Sequence, residues 1–302
     1  MNVLVFPCGS EIGLEIHAAL HACKDVKLYG ASSVDDHGEF VYARYRRIEA
    51  DTRDAAGLLD ALNALIAQCR IDIVLPAHDS VIPLLAEAGE RLHAVAAVPD
   101  AATARVCRDK HLTYDRLQPR GFVPARIDGL AERYPIFAKP AVGQGSQGAE
   151  RVDDRTRHQA LLDSGVNYVF AEYLPGDEYT IDCISDAAGK LLHAAPRTRL
   201  RIRNGIAVRT APAAPDAALQ AMAAAIAGEL QLRGAWFFQA RRDAAGVPKL
   251  LEVAPRIAGS MSLSRQRGIN YPLLGIYAYL SRPFQVLAQD FPVEMDRALH
   301  SR

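Results

Sequence analysis

The densest concentration of groups able to do chemistry lies at residues 137–148, FAKPAVGQGSQG. Three glycines in six residues, Gly143, Gly145 and Gly148, permit positive φ and let backbone N–H groups approach an anion closely. Ser146 adds a hydroxyl, and Lys139 brings a point charge within the preceding apolar strand. Together these groups can clamp a polyphosphate. The spacing is not that of a Walker A loop, because the lysine precedes the glycines and no Gly-Lys-Ser/Thr closes the segment. Standing alone, the same loop could equally be a flexible hairpin tip.

A second constellation is acidic. Gln239 and Glu252 lie on two apolar strand patterns, residues 235–241 and 249–253, joined by Asp243-Ala-Ala-Gly246. A hairpin symmetric about Ala245 and Gly246 sets Gln239 opposite Glu252, with Cβ atoms roughly 4.5–5.5 Å apart. That is close enough to share a hard cation such as Mg²⁺, which takes one or two protein oxygens and fills its shell with water or phosphate oxygens. A glutamate within an apolar strand is otherwise costly. Period-2 geometry also puts Glu178, Thr180 and Asp182 on one strand face, as it would on any solvent-facing strand. Arg197, Arg199, Arg201 and Arg203 share a face by the same rule. One or two of them, Arg199 foremost, could reach phosphates or an anionic substrate, while at least two are expected to form a solvated edge that discourages sheet pairing.

The elements that must position these groups fall into two textures. Up to about residue 100, short strands (3–6, 26–29, 71–75) alternate with helix patterns (12–23, 53–69, 81–92), which predicts a small parallel sheet with crossovers. Cys8-Gly-Ser-Glu-Ile-Gly13 sits between a strand and a helix, where a helix N-terminus could receive a carboxylate or phosphate. It lacks the G-x-G-x-x-G spacing of a dinucleotide site. Pro76-Ala-His-Asp79 ends a strand at the usual edge of a ligand crevice, with His78 either a surface group or a substrate contact. Beyond residue 100 come strands at 134–140, 149–152 and 168–171, a meander over 178–211 with turns at Asp186–Gly189 and Asn204-Gly205, an Ala-rich helix at 217–230, and a helix at 271–280. This second texture predicts α+β.

Bulk properties exclude several classes. Lys+Arg and Asp+Glu number 35 each, so no global field draws the chain to nucleic acid or an anionic membrane. Five scattered cysteines (Cys8, Cys23, Cys69, Cys107, Cys183) fit reduced thiols in the cytoplasm better than a disulfide framework. The first residues read as a strand and not as a signal peptide, and no run approaches the ~20 apolar residues of a membrane span. The expectation is a soluble cytoplasmic protein of two or three units.

The order and separation of EYLPGDEYTID (172–182), PRTRLRIRNG (196–205), PRIAGSMSLS (255–264) and GINYPLL (268–274) resemble the ATP-grasp superfamily, nearest its carbamoyl-phosphate-synthetase-like, carboxylate–amine ligase branch. The likeness covers roughly residues 105–280. It implies α/β plus α+β architecture: a small N-terminal parallel α/β domain (1–100) before a two-lobed ATP-grasp domain (101–302), with a lid lobe at about 125–172 and a C-terminal lobe at about 173–302. It implies that Lys110 and Lys139 meet the nucleotide phosphates under the lid glycines and Ser146. Backbone groups of the hinge Glu172-Tyr173-Leu174 would bond the adenine edge, and Glu178 the ribose. Gln239 and Glu252 would hold Mg²⁺, with Arg256, Arg199 and Lys139 acting on the transferred phosphoryl group. Residues 259–264, rich in small hydroxyl side chains, could line a substrate pocket or form a turn. One departure stands out: the family has an asparagine two residues after the metal glutamate, where this chain has Ala254. The function implied is ATP- and Mg²⁺-dependent ligation of a small carboxylate to an amine; the sequence leaves the oligomeric state open, a homodimer being the general prior. The alternative that Ala254 raises is a nucleotide-binding protein with lost or weak catalysis.

Overall fold

The structure is a computed structural model, and it describes residues 1–50, 53–203 and 205–297; Asn204, half of one expected turn, lies outside them. The first sheet is wholly parallel, in the order β3-β2-β1-β4-β5. Its strands are β1 (Asn2–Phe6), β2 (Lys27–Ser32), β3 (Tyr45–Arg47), β4 (Ile73–Pro76) and β5 (Val95–Ala96). Four helices accompany it: α1 (Glu11–Leu20), α2 (Gly38–Val41), α3 (Ala55–Cys69) and α4 (Val81–Ala88). Alternation along β1 sorts its side chains between two cores. Leu4 and Phe6 pack with Leu58, Leu62, Leu65 and Ile66 of α3 and Leu85 of α4. Val3 and Val5 pack with Ile12, Ile16 and Leu20 of α1. Ser10 starts α1 by accepting a hydrogen bond from the Gly13 N–H, and Arg70 ends α3 in the left-handed conformation.

Two short helices follow, α5 (Ala101–Arg108) and α6 (Lys110–Leu117). Their polar composition hid them from hydrophobic periodicity, but Asp100 and Asp109 cap them by accepting from backbone N–H groups. Next comes a three-stranded antiparallel sheet, β6 (Ile136–Pro140), β7 (Glu150–Val152) and β8 (Tyr168–Glu172), in the order β7-β6-β8 with α7 (Arg155–Leu162). Ile136, Ala138, Val152, Leu161 and Phe170 form its small core.

The largest sheet has the order β13-β12-β9-β10-β11-β14. It comprises β9 (Glu178–Ser185), β10 (Leu191–Arg203), β11 (Ile206–Pro212), β12 (Gly234–Arg242), β13 (Pro248–Ala254) and β14 (Met295–Asp296), with helices α8 (Ala217–Leu230), α9 (Ser262–Gln266) and α10 (Tyr271–Tyr279). One face carries Ile181, Cys183, Trp236 and Phe238 against Met222, Ile226 and Leu230 of α8. On the opposite face Phe237 and Ala254 join Ile257, Tyr271 and Ile276 in the same core as Val3, Val5 and α1. The first sheet and the largest sheet are thus welded through one apolar core, which fixes the floor of the cleft between them. No helix among the described residues is long and apolar enough to cross a membrane.

Candidate nucleotide and metal site

Backbone pairing across the largest sheet lays out a grid. Arg197 on β10 pairs with Thr180 on β9, Thr180 with Gln239 on β12, and Gln239 with Glu252 on β13. Four polar residues therefore form one cross-strand row. The expected Gln239–Glu252 pairing is present, but the turn is not where the sequence placed it. Near the turn, Arg241 pairs with Lys249 and Ala240 with Leu250, and the register then shifts before Gln239. One extra residue, Leu251, makes a β-bulge that restores the pairing. The bulge is also why Leu250 and Val253, three apart, face the same core.

That bulge does chemical work. It releases the Leu251 carbonyl, which accepts hydrogen bonds from Lys139 Nζ at 2.8 Å and from the Tyr114 hydroxyl at 3.1 Å. Lys139 Nζ also donates to Tyr114 Oη at 2.6 Å. No carboxylate among the described residues forms an ion pair with it, and burial pushes its pKa down to about 7 against the opposing pull of Glu252. Lys110, at the first position of α6, points its Nζ at the Pro140 carbonyl at 3.2 Å, and burial lowers its pKa as well. Glu252 and Gln239 make no side-chain hydrogen bond to any described residue. A carboxylate among Lys110, Lys139 and Arg199 with unspent oxygens, beside an amide with an unspent carbonyl, suits a hard cation that also contacts phosphate. Ala254 is buried opposite Phe237 in the shared core, so the position where the family has asparagine is spent here on packing.

Two chambers meet at this pair. The smaller, about 170 Å³, is lined by Lys139, Leu174, Glu178, Gln239, Glu252 and Ser146 among others. The larger, about 370 Å³, shares Lys110, Gln239 and Glu252 and extends to Ser10, Asp79, Arg199 and Arg256. The glycine-rich loop roofs both. Gly145, Ser146 and Gly148 have φ of 60°, 58° and 70°, the left-handed region that favours glycine. Gly143 and Gly145 line both chambers and Ser146 the smaller. Gly148 lines neither and turns against Pro140.

The roof is held from three sides that sequence reasoning missed. Arg108 donates to the Gly143 carbonyl at 2.9 Å. Gln144 Nε2 contacts His78 Nε2 at 2.8 Å, while His78 Nδ1 lies 2.6 Å from the Ser80 hydroxyl. Burial, with Arg256 and Arg108 nearby, lowers the His78 pKa and favours its neutral ring. Gly205, at the β10–β11 turn, lies so close to Gly145 that a Cβ there would sit 2.3 Å from the Gly145 backbone. Only the Asn-Gly turn signal hinted at this contact.

The hinge divides its labour. The Glu172 carboxylate accepts from Ala125 N–H at 2.8 Å, and its own N–H donates to the Ala125 carbonyl at 2.9 Å. The Tyr173 ring is covered by the Arg151 and Arg241 guanidiniums and does not line the chamber. Leu174 does line it, and its N–H has no acceptor among the described residues. Glu178 also lines the chamber, 3.2 Å from Arg199 and 3.9 Å from Arg241.

The four arginines do not share one environment. Arg197 is enclosed with Asp182 at 2.9 Å. Arg199 lies against Glu178 and donates to the Gly205 carbonyl at 2.6 Å. Arg201 and Arg203 are exposed, and register irregularities flank Arg201, so the single face expected from spacing breaks there. Arg256 makes a two-pronged bond to Asp79, 2.6 Å on each prong. Although burial raises the Asp79 pKa, the Arg256 guanidinium outweighs it and holds the carboxyl below its ordinary range. Asp79→Ala should therefore cost about 2–4 kcal/mol in urea unfolding, somewhat below a fully buried pair because a fifth of Asp79 still meets solvent. A loss under about 1 kcal/mol would contradict the structural weight given to this pair.

A roof of glycines over a cleft between an antiparallel sheet and a larger sheet bearing a Gln–Glu pair, with a parallel α/β sheet packed alongside, is the ATP-grasp fold. Residues 165–298 match the model of a family described as ATP-grasp in the biosynthetic pathway with Ter operon. No curated protein sequence matches the chain. Among solved structures, an L-amino acid ligase from Bacillus licheniformis superposes with a TM-score of 0.72 at 20% identity, covering 94% of this chain and 75% of that one. A carboxyaminoimidazole ribonucleotide synthase from Aspergillus clavatus complexed with ATP gives 0.75 at 13% identity, covering 97% and 80%. A biotin carboxylase from Campylobacter jejuni gives 0.74 at 16% identity, covering 94% and 72%. The ATP-grasp resemblance is borne out for the fold over nearly the whole chain, and the family model matches residues 165–298.

Proposed function

We propose that the protein is an ATP-dependent ligase that joins a small-molecule carboxylate to an amine. The observation that carries this reading is the Gln239–Glu252 pair, with unspent oxygens on the same sheet face as Arg199 and beside Lys110 and Lys139. Under the glycine roof these groups suit the β- and γ-phosphates of ATP. The free Leu174 N–H suits the adenine edge, and Glu178 suits the ribose once Arg199 turns to the phosphates. The L-amino acid ligase and the ATP-bound synthase among the structural neighbours support the same class, and a magnesium-ADP complex is described for another, a biotin carboxylase domain dimer. Assembly of this chain as a homodimer belongs to the same proposal.

Glu252 and Gln239 would hold Mg²⁺, which would supply positive charge against the phosphates. Lys139 and Lys110 place fixed cations on the terminal phosphates, where charge spreads during transfer. A carboxylate oxygen of the substrate attacks the γ-phosphorus, the β,γ-bridging P–O bond breaks, and ADP leaves. The amine nitrogen then attacks the acyl carbon, the C–O bond to phosphate breaks, inorganic phosphate departs, and the amine proton passes to phosphate or water. The roof, held by Arg108, Gln144 and Gly205, excludes water from the acyl phosphate between these steps. Arg256, tied to Asp79, borders the larger chamber where the acyl group would sit.

The test is trapping. The protein, ATP and Mg²⁺ are incubated with panels of small carboxylic acids and hydroxylamine in place of the amine. A true donor should give its hydroxamate together with ADP in equal amounts. ADP release without hydroxamate across the panels would contradict the acyl-phosphate route.

A further inference from the structure

Three side chains in the larger chamber are more than nine-tenths buried and still have hydrogen-bonding capacity to spare. Arg197 spends Nε and Nη2 on Asp182, at 2.9 and 3.2 Å, while its Nη1 is enclosed without a partner among the described residues. Thr180 and Ser260 are 2% and 3% exposed, and neither hydroxyl bonds a described residue. All three line the same cavity. Buried polar groups in folded proteins are overwhelmingly satisfied, so the enclosed Arg197 Nη1, in a cavity with two unspent hydroxyls, points to a missing hydrogen-bond partner. Arg197 Nη1 can only donate, and Asp182 beside it is already engaged by Arg197 and approached by Ser264 at 3.4 Å. The missing partner is therefore an acceptor, and a planar two-oxygen acceptor best suits guanidinium and hydroxyl donors.

We propose that Arg197, Thr180 and Ser260 form a subsite for a carboxylate group of the acyl donor. This rests on the ligase reading above and deepens it by assigning the groups that recognise the acid. Arg197 and Glu252 occupy opposite ends of one cross-strand row, three strand spacings or roughly 14 Å apart at the backbone, on the face that lines the chamber. A carboxylate at Arg197 is thus held on the face that carries the metal pair, beyond the phosphates as seen from the nucleotide chamber. The small residues Ala258 and Gly259 beside Ser260 leave room for the body of the donor.

The experiment uses the full chain with the β,γ-imido analogue of ATP and Mg²⁺, followed by calorimetry. Propionate and succinate are then titrated, each against its neutral amide. Wild type should bind at least one acid about tenfold or more tightly than the matching amide, as expected for a charge-assisted bond. The Thr180→Val/Ser260→Ala double variant should lose that preference by about tenfold while its affinity for the nucleotide analogue holds. Arg197→Lys, which keeps a positive charge opposite Asp182 but removes Nη1, should lose the preference while remaining folded by circular dichroism. Acids that bind no better than their amides, or not at all, overturn the subsite. So does a double variant that binds the acid as wild type does. Failure of the analogue to bind in the first titration overturns the ligase reading, and the subsite's assignment to an acyl donor falls with it.

Discussion

Lys139→Met is expected to bind ATP about 10- to 100-fold more weakly than wild type and yet to melt at a higher temperature at pH 7. The first effect follows from removing a charge-assisted bond to phosphate, which contributes about 1.5–3 kcal/mol. The second follows from how the lysine is kept. Its neighbours in the ligand-free protein are a tyrosine hydroxyl and a carbonyl, and burial holds its pKa at about 7 against about 10.4 in an unfolded chain. Between those values the unfolded state binds the additional proton, so the stability of the ligand-free protein rises with pH across that window. Methionine fills similar volume without the buried amine. The same depressed pKa makes nucleotide binding take up nearly one proton at pH 8, which titrations in two buffers of different ionisation heat would register. Weaker binding accompanied by a lower melting temperature would mean that Lys139 serves the fold more than the ligand.

Glu252→Gln is expected to abolish the magnesium dependence of nucleotide binding and to cut turnover by about 10²- to 10³-fold. The carboxylate has no partner among the described residues, so the change removes a ligand without orphaning a neighbour. It does remove the charge that raises the Lys139 and Lys110 pKa values, so both should fall further. With its carboxylate neutralised, the cluster repels phosphate oxygens less, and metal-free nucleotide binding should be kept or strengthened. The measurement is titration of a non-hydrolysable ATP analogue into the variant with and without Mg²⁺. A variant that still binds more tightly with the metal would place the cation elsewhere.

Much of the architecture was legible because it rests on short-range rules. Alternation along β1, the helix periods of the first hundred residues, and the glycine-rich turn are written in neighbouring residues. The Gln239–Glu252 pairing could be read from hairpin symmetry, yet the assumed turn was half a residue off and only the bulge at Leu251 made the pairing come out right. That bulge, which supplies the carbonyl for Lys139, leaves no local signature in KLLEVA. The polar helices α5 and α6 lack an apolar period long enough to detect, and so Arg108 and Tyr114 went unnoticed. The ties that close the site are long-range: Arg256 to Asp79 across 177 residues and Gln144 to His78 across 66. Such contacts depend on how the sheets pack, which one-dimensional spacing does not contain. The same holds for Arg197, whose place opposite Asp182 emerges only from the β9–β10 register.

Wild-type protein is expected to bind ATP with Mg²⁺ at the Gln239–Glu252 pair. Calorimetric titration of a non-hydrolysable ATP analogue, with Mg²⁺ and then with a chelator, measures this directly. One site per chain, occupied at least about tenfold more tightly with Mg²⁺, is the predicted result. No binding, or binding indifferent to the metal, would contradict the nucleotide site assigned to Lys139, Gln239 and Glu252.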